Sequence, residues 1–166
     1  MYLGKKITCV IPARLSSSRF PRKPLALIKD REMVLRVADV ASRSKYIDNV
    51  IIATEDHEIV DLCKKNNYES RLTRKHYTCT HRVAEVSQDV ESDFILNYQG
   101  DEPLISPLHI DKVIDCHLKN LKYDIIFENI SFSFLPNLLI IFLDFADISF
   151  IDSPIFFIWS CDFSNS

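Results

Sequence analysis

Glycine is almost missing from this 166-residue chain: Gly4 and Gly100 are the only two. A phosphate cradle built from successive backbone N–H groups needs several glycines, so the P-loop and the G-x-G-x-x-G dinucleotide fingerprint are both excluded. Cysteine is present but unpatterned. Cys9, Cys63, Cys79, Cys116 and Cys161 are odd in number and none stands in a C-x-x-C pair, which removes a zinc knuckle and a dithiol redox motif. Reduced, mostly buried thiols are expected. A hydrophobic leader is lacking too, because the apolar run 7–11 is cut by Pro12 and Arg14 far short of a signal-peptide core. The chain is therefore read as cytoplasmic. A net charge of only −3 with 26% charged residues excludes a basic nucleic-acid wrapper and a disordered polyelectrolyte. The length fits one ordinary domain.

The most informative absence is positional. No Lys, Arg or His occurs after Lys122, whereas nine of the 11 Phe lie beyond residue 125. The 20 Lys and Arg against 18 of the 23 acids leave residues 1–125 at +2, and the remaining five acids leave 126–166 at −5. These two compositions divide the chain into a unit 1–125 and an atypical Phe/Ile-rich tail 126–166. Within the tail, 131–151 is apolar without a clean period, and Pro136, Asn137, Asp144 and Asp147 interrupt it before the ~18 apolar residues of a membrane span accumulate. No membrane partner is expected.

Up to residue 124 the hydrophobic period alternates regularly. The run 7–11 predicts a buried parallel strand ended by Pro12. Met33, Val37, Ala38 and Ala41 predict a helix over 33–44. A strand at 50–53 precedes a helix carrying Ile59, Leu62 and Cys63, with Asp56 as its N-cap. A weak strand at 70–72 leads to an amphipathic segment with Val83, Val86 and Val90 on one face, and 94–96 is the next strand. Ser106 and Pro107 then give an N-cap and a first-turn proline before the stripe Ile110, Val113, Ile114 and Leu118. Strands alternating with helices mean crossover connections, hence an α/β fold with a mostly parallel sheet. Ligands of such sheets bind beyond the carboxyl ends of the strands. That rule selects the loops 12–25, 73–82 and 99–103.

The first loop gathers Arg14, Arg19, Arg22 and Lys23 among three prolines and three serines. Where glycines are absent, long cationic side chains must neutralise a bound triphosphate; a solvated basic loop is the alternative reading. The third loop, Gln99-Gly100-Asp101-Glu102-Pro103, places a carboxylate directly after an apolar strand. Magnesium takes one or two protein carboxylates and completes its shell with phosphate and water, so Asp101 is a candidate ligand. A plain turn with surface acids is the alternative. Gly100 is expected to supply positive φ there. The middle loop holds Arg74, His76, Tyr77, Thr78, Cys79, Thr80, His81 and Arg82 and is uninformative alone. Its two histidines read as surface or base-contacting groups rather than metal ligands, and no base beside Cys79 can be seen from sequence. His57, His109 and His117 fall on expected helices as surface or packing residues.

Taken together the loops resemble a known family. Ile11-Pro12-Ala13-Arg14, Ser17, Arg19, Pro21 and Lys23-Pro24-Leu25 open the likeness, which continues through Thr73-Arg74, His76, Thr80, Arg82 and Ala84-Glu85-Val86 to Gln99-Gly100-Asp101-Glu102-Pro103. In order and spacing these are similar to the 3-deoxy-manno-octulosonate (Kdo) cytidylyltransferases, or CMP-Kdo synthetases, over roughly 6–124. The related CMP-acylneuraminate synthetases, with a glycine-richer first loop, are a further alternative. The resemblance implies a Rossmann-like nucleotidyltransferase sheet with flanking helices, incomplete on its C-terminal side. It implies a cytosolic enzyme that joins CTP to a Kdo-type sugar acid, releases pyrophosphate and supplies lipopolysaccharide synthesis, with Mg2+ as cofactor and no nucleic-acid partner. By the same resemblance, Arg14, Arg19 and Lys23 bind the triphosphate and form the catalytic set with Asp101, the metal ligand. Arg74, Thr78 and Thr80 lie near the cytidine, and Gln99 lies near Asp101.

The chain also departs from that family. Arg22 stands where the family has Gly, and Thr78-Cys79-Thr80-His81-Arg82 replaces a Ser-Gly-Thr-Asp-Arg-like run, with one residue missing before His76. Backbone strain of about 1 kcal/mol is expected at Cys79 if that position needs the left-handed conformation. Nothing in 126–166 resembles the family's later half, which carries sugar-binding residues, a second metal carboxylate and the dimer-forming segment. The tail is accordingly read as frameshift-derived, with a divergent C-terminal module as the alternative. A family-like homodimer is not expected, and a catalytically inert remnant that still binds CTP is the alternative to an active transferase.

Overall fold

The structure, a computed structural model, describes residues 1–17 and 19–119, and beyond them only the backbone of the strands Ile140–Ile141 and Ile155–Trp159. The readings of 126–166 as a frameshift-derived tail and of 131–151 as a non-membrane segment otherwise lie outside the described residues. Among the described residues no helix is long and apolar enough to cross a membrane.

Strand β1 (Ile7–Ala13) is buried at every position, Thr8 included, as its largely apolar run demands. A 3-10 turn, Lys23–Leu25, and a small antiparallel pair, β2 (Leu27–Ile28) with β3 (Arg31–Glu32), lead into α1 (Met33–Ala41). There follow β4 (Asn49–Thr54), α2 (His57–Lys65), β5 (Glu69–Leu72), α3 (Cys79–Ser87), β6 (Phe94–Asn97) and α4 (Pro107–Lys119). Ile140–Ile141 is β7 and Ile155–Trp159 is β8. The sheet order is β5-β4-β1-β6-β8-β7, with every pairing parallel except β7 with β8. The expected α/β architecture with a mostly parallel sheet is present, and the two last strands extend it past β6.

The alternating side chains of the sheet serve two apolar layers. Ile7, Cys9, Ile11, Ile52, Phe94 and Leu96 pack with residues of α1, α2 and α4 on one face. Val10, Ile51, Ala53 and Ile95 meet Val83 and Val86 of α3 on the other. Ser106 accepts from the Leu108 N–H at 3.3 Å and caps α4 as expected, with Pro107 at the first helical position.

Three boundaries differ from the expectation. Helix α1 ends at Ala41, with Ser42 as its C-cap, rather than at 44. Pro12 does not end β1, because β4 still pairs with Pro12 and Ala13 (Ala53 and Thr54) after the β6 ladder has stopped at Val10 opposite Asn97. The Val10 carbonyl faces β6, where it accepts from the Tyr98 N–H at 3.1 Å. Residues two apart along a strand point their backbone groups the same way, so the missing N–H of Pro12 falls where no ladder partner remains. Helix α3 begins at Cys79 rather than beyond Arg82, because the Thr78 hydroxyl caps it by accepting from the His81 N–H at 3.3 Å. Val90 lies outside that helix.

Among the described cysteines, Cys9 and Cys63 are buried, Cys116 is half-buried and Cys79 is exposed, so burial is less general than expected. Burial raises the Cys9 thiol far above its ordinary range and pushes Cys63 up to about 11. Mapping of thiol alkylation by mass spectrometry at neutral pH is expected to find Cys79 modified early and Cys9 and Cys63 only after unfolding. Early labelling of Cys9 would contradict the packing described here.

His117 is buried on α4 and meets the edge of Phe94, with ring centroids 5.7 Å apart. Burial lowers its pKa from 6.5 to about 4, which makes it a packing residue. The unfolded chain therefore takes up a proton between these two values that the folded chain refuses, and stability falls as pH drops through that window. Denaturant midpoints measured from pH 7 to pH 4 should decline, and His117→Phe should flatten the decline.

Candidate functional site

The chain runs from β1 outward to β4 and β5, then returns to lay β6 on the other flank of β1. The strand order reverses between β1 and β6, and such a switch point leaves a crevice at the carboxyl ends of the two strands. The loop after β1 and the loop after β6 both open there. Lys23 and Asp101, 78 residues apart in sequence, meet at this point: the ammonium donates to Asp101 Oδ2 at 2.6 Å.

The cationic loop is held in place by backbone contacts. The Leu15 N–H donates to Asp56 Oδ2 at 2.7 Å, and the Leu15 carbonyl accepts from the Arg22 N–H at 2.9 Å. Residues 16–17 and 19–21 thus belong to an excursion closed at its base. Asp56 occupies the N-cap position of α2, as expected, but makes no side-chain cap; its carboxylate is committed to the loop instead. Arg22 closes the excursion with φ 60°, in the left-handed region that favours glycine. Its guanidinium pairs with Glu58 of α2. Arg14 and Arg19 are exposed and form no ion pair among the described residues.

On the β6 side, residues 99–102 form a turn in which the Glu102 N–H donates to the Gln99 carbonyl at 3.3 Å. The buried Tyr98 hydroxyl donates to the Glu102 carbonyl at 2.7 Å and fixes that turn from beneath. Gly100 does not have positive φ, contrary to the expectation. Its role is close approach, because a Cβ there would lie 2.8 Å from the Pro12 carbonyl oxygen. Lys23 and Asp101 keep 36% and 50% of their side-chain surface open, so their ion pair contributes at most about 1 kcal/mol to stability and leaves both groups accessible.

The loop 73–78 lies at the same edge of the sheet, beyond β4. No hydrogen bond or ion pair among the described residues joins Arg74, Thr78 or Thr80 to Lys23 or Asp101, nor to one another. Glu85 organises the start of this loop. It accepts from the Arg74 N–H at 3.2 Å and pairs with the His76 ring and the Arg74 guanidinium. Burial pushes the Glu85 carboxyl up, but the hydrogen bonds from His76 and Arg74 outweigh it and hold the group below the ordinary glutamate range. His81 Nδ1 lies 2.6 Å from the Thr78 hydroxyl. Cys79 is the first helical residue of α3 and does not take the left-handed conformation, so the strain expected there is absent and falls at Arg22 instead.

The sequence reading named Arg82 only as a loop and family residue and Asp56 only as an N-cap, and missed the contacts they make on this edge. Arg82 is 2% exposed and pairs with Glu55, while Asp56 holds Leu15. The signal was the Glu55-Asp56 pair just past the apolar strand 50–53, one residue on, which the same rule of strand ends would have selected.

A mostly parallel sheet with flanking helices and this strand order is a Rossmann-like architecture of the kind found in nucleotidyltransferases. The profile of the cytidylyltransferase family matches residues 8–144, and the chain belongs to that family. The match runs 20 residues past the 6–124 limit seen by inspection. The 3-deoxy-manno-octulosonate cytidylyltransferase of Syntrophotalea carbinolica is 45% identical over 109 residues, covering 65% of this chain and 44% of the relative. The enzyme of the same name from Koribacter versatilis is 42% identical over 111 residues, covering 66% and 42%. The chain thus spans less than half the length of these curated relatives. Among solved structures, a CMP:2-keto-3-deoxy-manno-octonic acid synthetase complexed with CTP superposes with a TM-score of 0.68 at 33% identity, over 70% of this chain and 48% of that one. A cytidylyltransferase from Leptospira borgpetersenii serovar Hardjo-bovis gives 0.64 at 25% identity, over 74% and 52%.

Proposed function

We propose that the chain binds CTP at the β1/β6 crevice and transfers its cytidylyl group to a Kdo-type sugar acid, yielding the CMP-sugar and pyrophosphate in a cytoplasmic step that supplies lipopolysaccharide synthesis. The observation that carries this reading is the meeting of Lys23 with Asp101 at the switch point. Arg14 and Arg19, which form no ion pair among the described residues, and Lys23 supply the charge that a triphosphate needs where glycine-rich backbone is lacking. The sugar's anomeric hydroxyl attacks the α-phosphorus, an O–P bond forms as the bridging bond to the β-phosphate breaks, and the hydroxyl proton leaves to solvent. The cationic side chains stabilise charge on the departing pyrophosphate. No covalent protein intermediate is required.

Asp101 offers one half-exposed carboxylate, the donor type that magnesium takes from a protein when nucleotide phosphates and water complete its shell. Among the described residues no group of three His, Cys, Asp or Glu side chains could hold a metal ion by itself. Bound at Asp101, magnesium would neutralise phosphoryl charge and polarise the phosphate for attack. On this reading Gln99 serves the site near Asp101. Arg74, Thr78 and Thr80 face the nucleoside.

The test is calorimetric binding of CTP to the full chain, followed by pyrophosphate release with CTP, Kdo and magnesium together. Binding with turnover supports the transferase. Binding without turnover supports a CTP-binding remnant. Absence of CTP binding overturns both.

A further inference from the structure

We propose that Arg82 is a positioning residue that holds the nucleoside-facing loop 73–78, an assignment resting on the CTP reading above. Its guanidinium is 2% exposed, and removing such a charge from water costs several kcal/mol unless it is paired and hydrogen-bonded. Both conditions are met. One terminal nitrogen donates to Glu55 Oε2 at 2.9 Å, and Nε donates to the Thr73 hydroxyl at 3.1 Å. Glu55 is the residue after β4, Thr73 is the residue after β5, and Arg82 is the fourth residue of α3. A single planar fork therefore joins two strand ends to the helix that follows them.

Replacing a buried ion pair by well-packed apolar groups is often neutral or stabilising, so stability alone gives no reason for a charge here. Direction does. The fork fixes Thr73, the first residue of the loop, while Glu85, one turn further along α3, holds Arg74 and His76, and Thr78 caps the helix. The loop is clamped along its length with Arg74, Tyr77 and Thr78 turned to solvent. A lysine would restore the charge but lacks the fork that reaches both acceptors.

The experiment compares Arg82→Met, Arg82→Lys and Thr73→Val with the parent chain in calorimetric binding of CTP and of inorganic tripolyphosphate. Amide hydrogen exchange in the ligand-free protein accompanies it. Arg82→Met should weaken CTP about tenfold and leave tripolyphosphate, which meets only the Lys23 loop, within about twofold. Arg82→Lys should not rescue it. Exchange should quicken at 74–78 and stay unchanged in β1 and β6. If Arg82→Met does not fold, Thr73→Val carries the test with an effect of about threefold on CTP. Equal loss of both ligands, unchanged CTP affinity, or exchange quickened throughout the sheet would overturn the assignment. A parent chain that binds no CTP but shows the local exchange change overturns the CTP reading and leaves the clamp standing as an observation about the loop.

Discussion

Gly100→Ala is expected to lower the unfolding free energy by about 2–3 kcal/mol, at the upper end of what overpacking a tight interior costs. The added Cβ would sit 2.8 Å from the Pro12 carbonyl oxygen, and that neighbour is backbone of the central strand, not the far end of a flexible side chain. Strand β1 is held on its other side by register with β4 through Ala13, so it cannot retreat without breaking that ladder. The loop after β6 must move instead and carry Asp101 with it. Denaturant unfolding checks the stability loss, and the same variant should lose CTP affinity. A variant with unchanged midpoint would show that the approach of the two strand ends is looser than described.

Lys23→Ala is expected to weaken CTP binding by about 2 kcal/mol, roughly thirtyfold, the scale of a charge-assisted hydrogen bond to phosphate. Stability should change by less than about 1 kcal/mol, since the pair it breaks with Asp101 is open to solvent. Asp101→Asn separates the two partners. It frees Lys23 from its carboxylate, so binding of CTP in the absence of magnesium should rise about threefold while the benefit of adding magnesium disappears. Calorimetric titrations with and without the metal read both effects. Parent-like CTP affinity in Lys23→Ala would remove Lys23 from the site.

The layered fold was legible because its signals are local. Continuous apolar runs marked β1, β4 and β6, and helical stripes such as Ile110, Ile114 and Leu118 marked the crossovers, so alternation and the rule of strand ends were enough to bring loops 12–25 and 99–103 to one edge. What failed to show in sequence was relational. Whether Pro12 breaks a strand depends on which neighbour still pairs with it. Gly100 was read for conformational freedom, yet its absent side chain matters because of an oxygen 88 residues earlier in the chain. Arg82 resembles any surface arginine until its helix packs onto Glu55 and Thr73. Cys79 and Arg22 exchanged roles for a similar reason, since the backbone conformation of each was decided by hydrogen bonds made elsewhere, by Thr78 in one case and Leu15 in the other.

The wide sequence separation of Lys23 and Asp101 also dictates when the crevice can come into being. During synthesis the cation loop leaves the ribosome with β1 while β6 is still untranslated, and β1 can pair with β4 well before its opposite flank is filled. Distant pairings of this kind form slowly because a long loop must close first. The nascent chain thus spends an interval with Lys23 presented and Asp101 not yet opposite it, and docking of β6 is the event that completes the crevice.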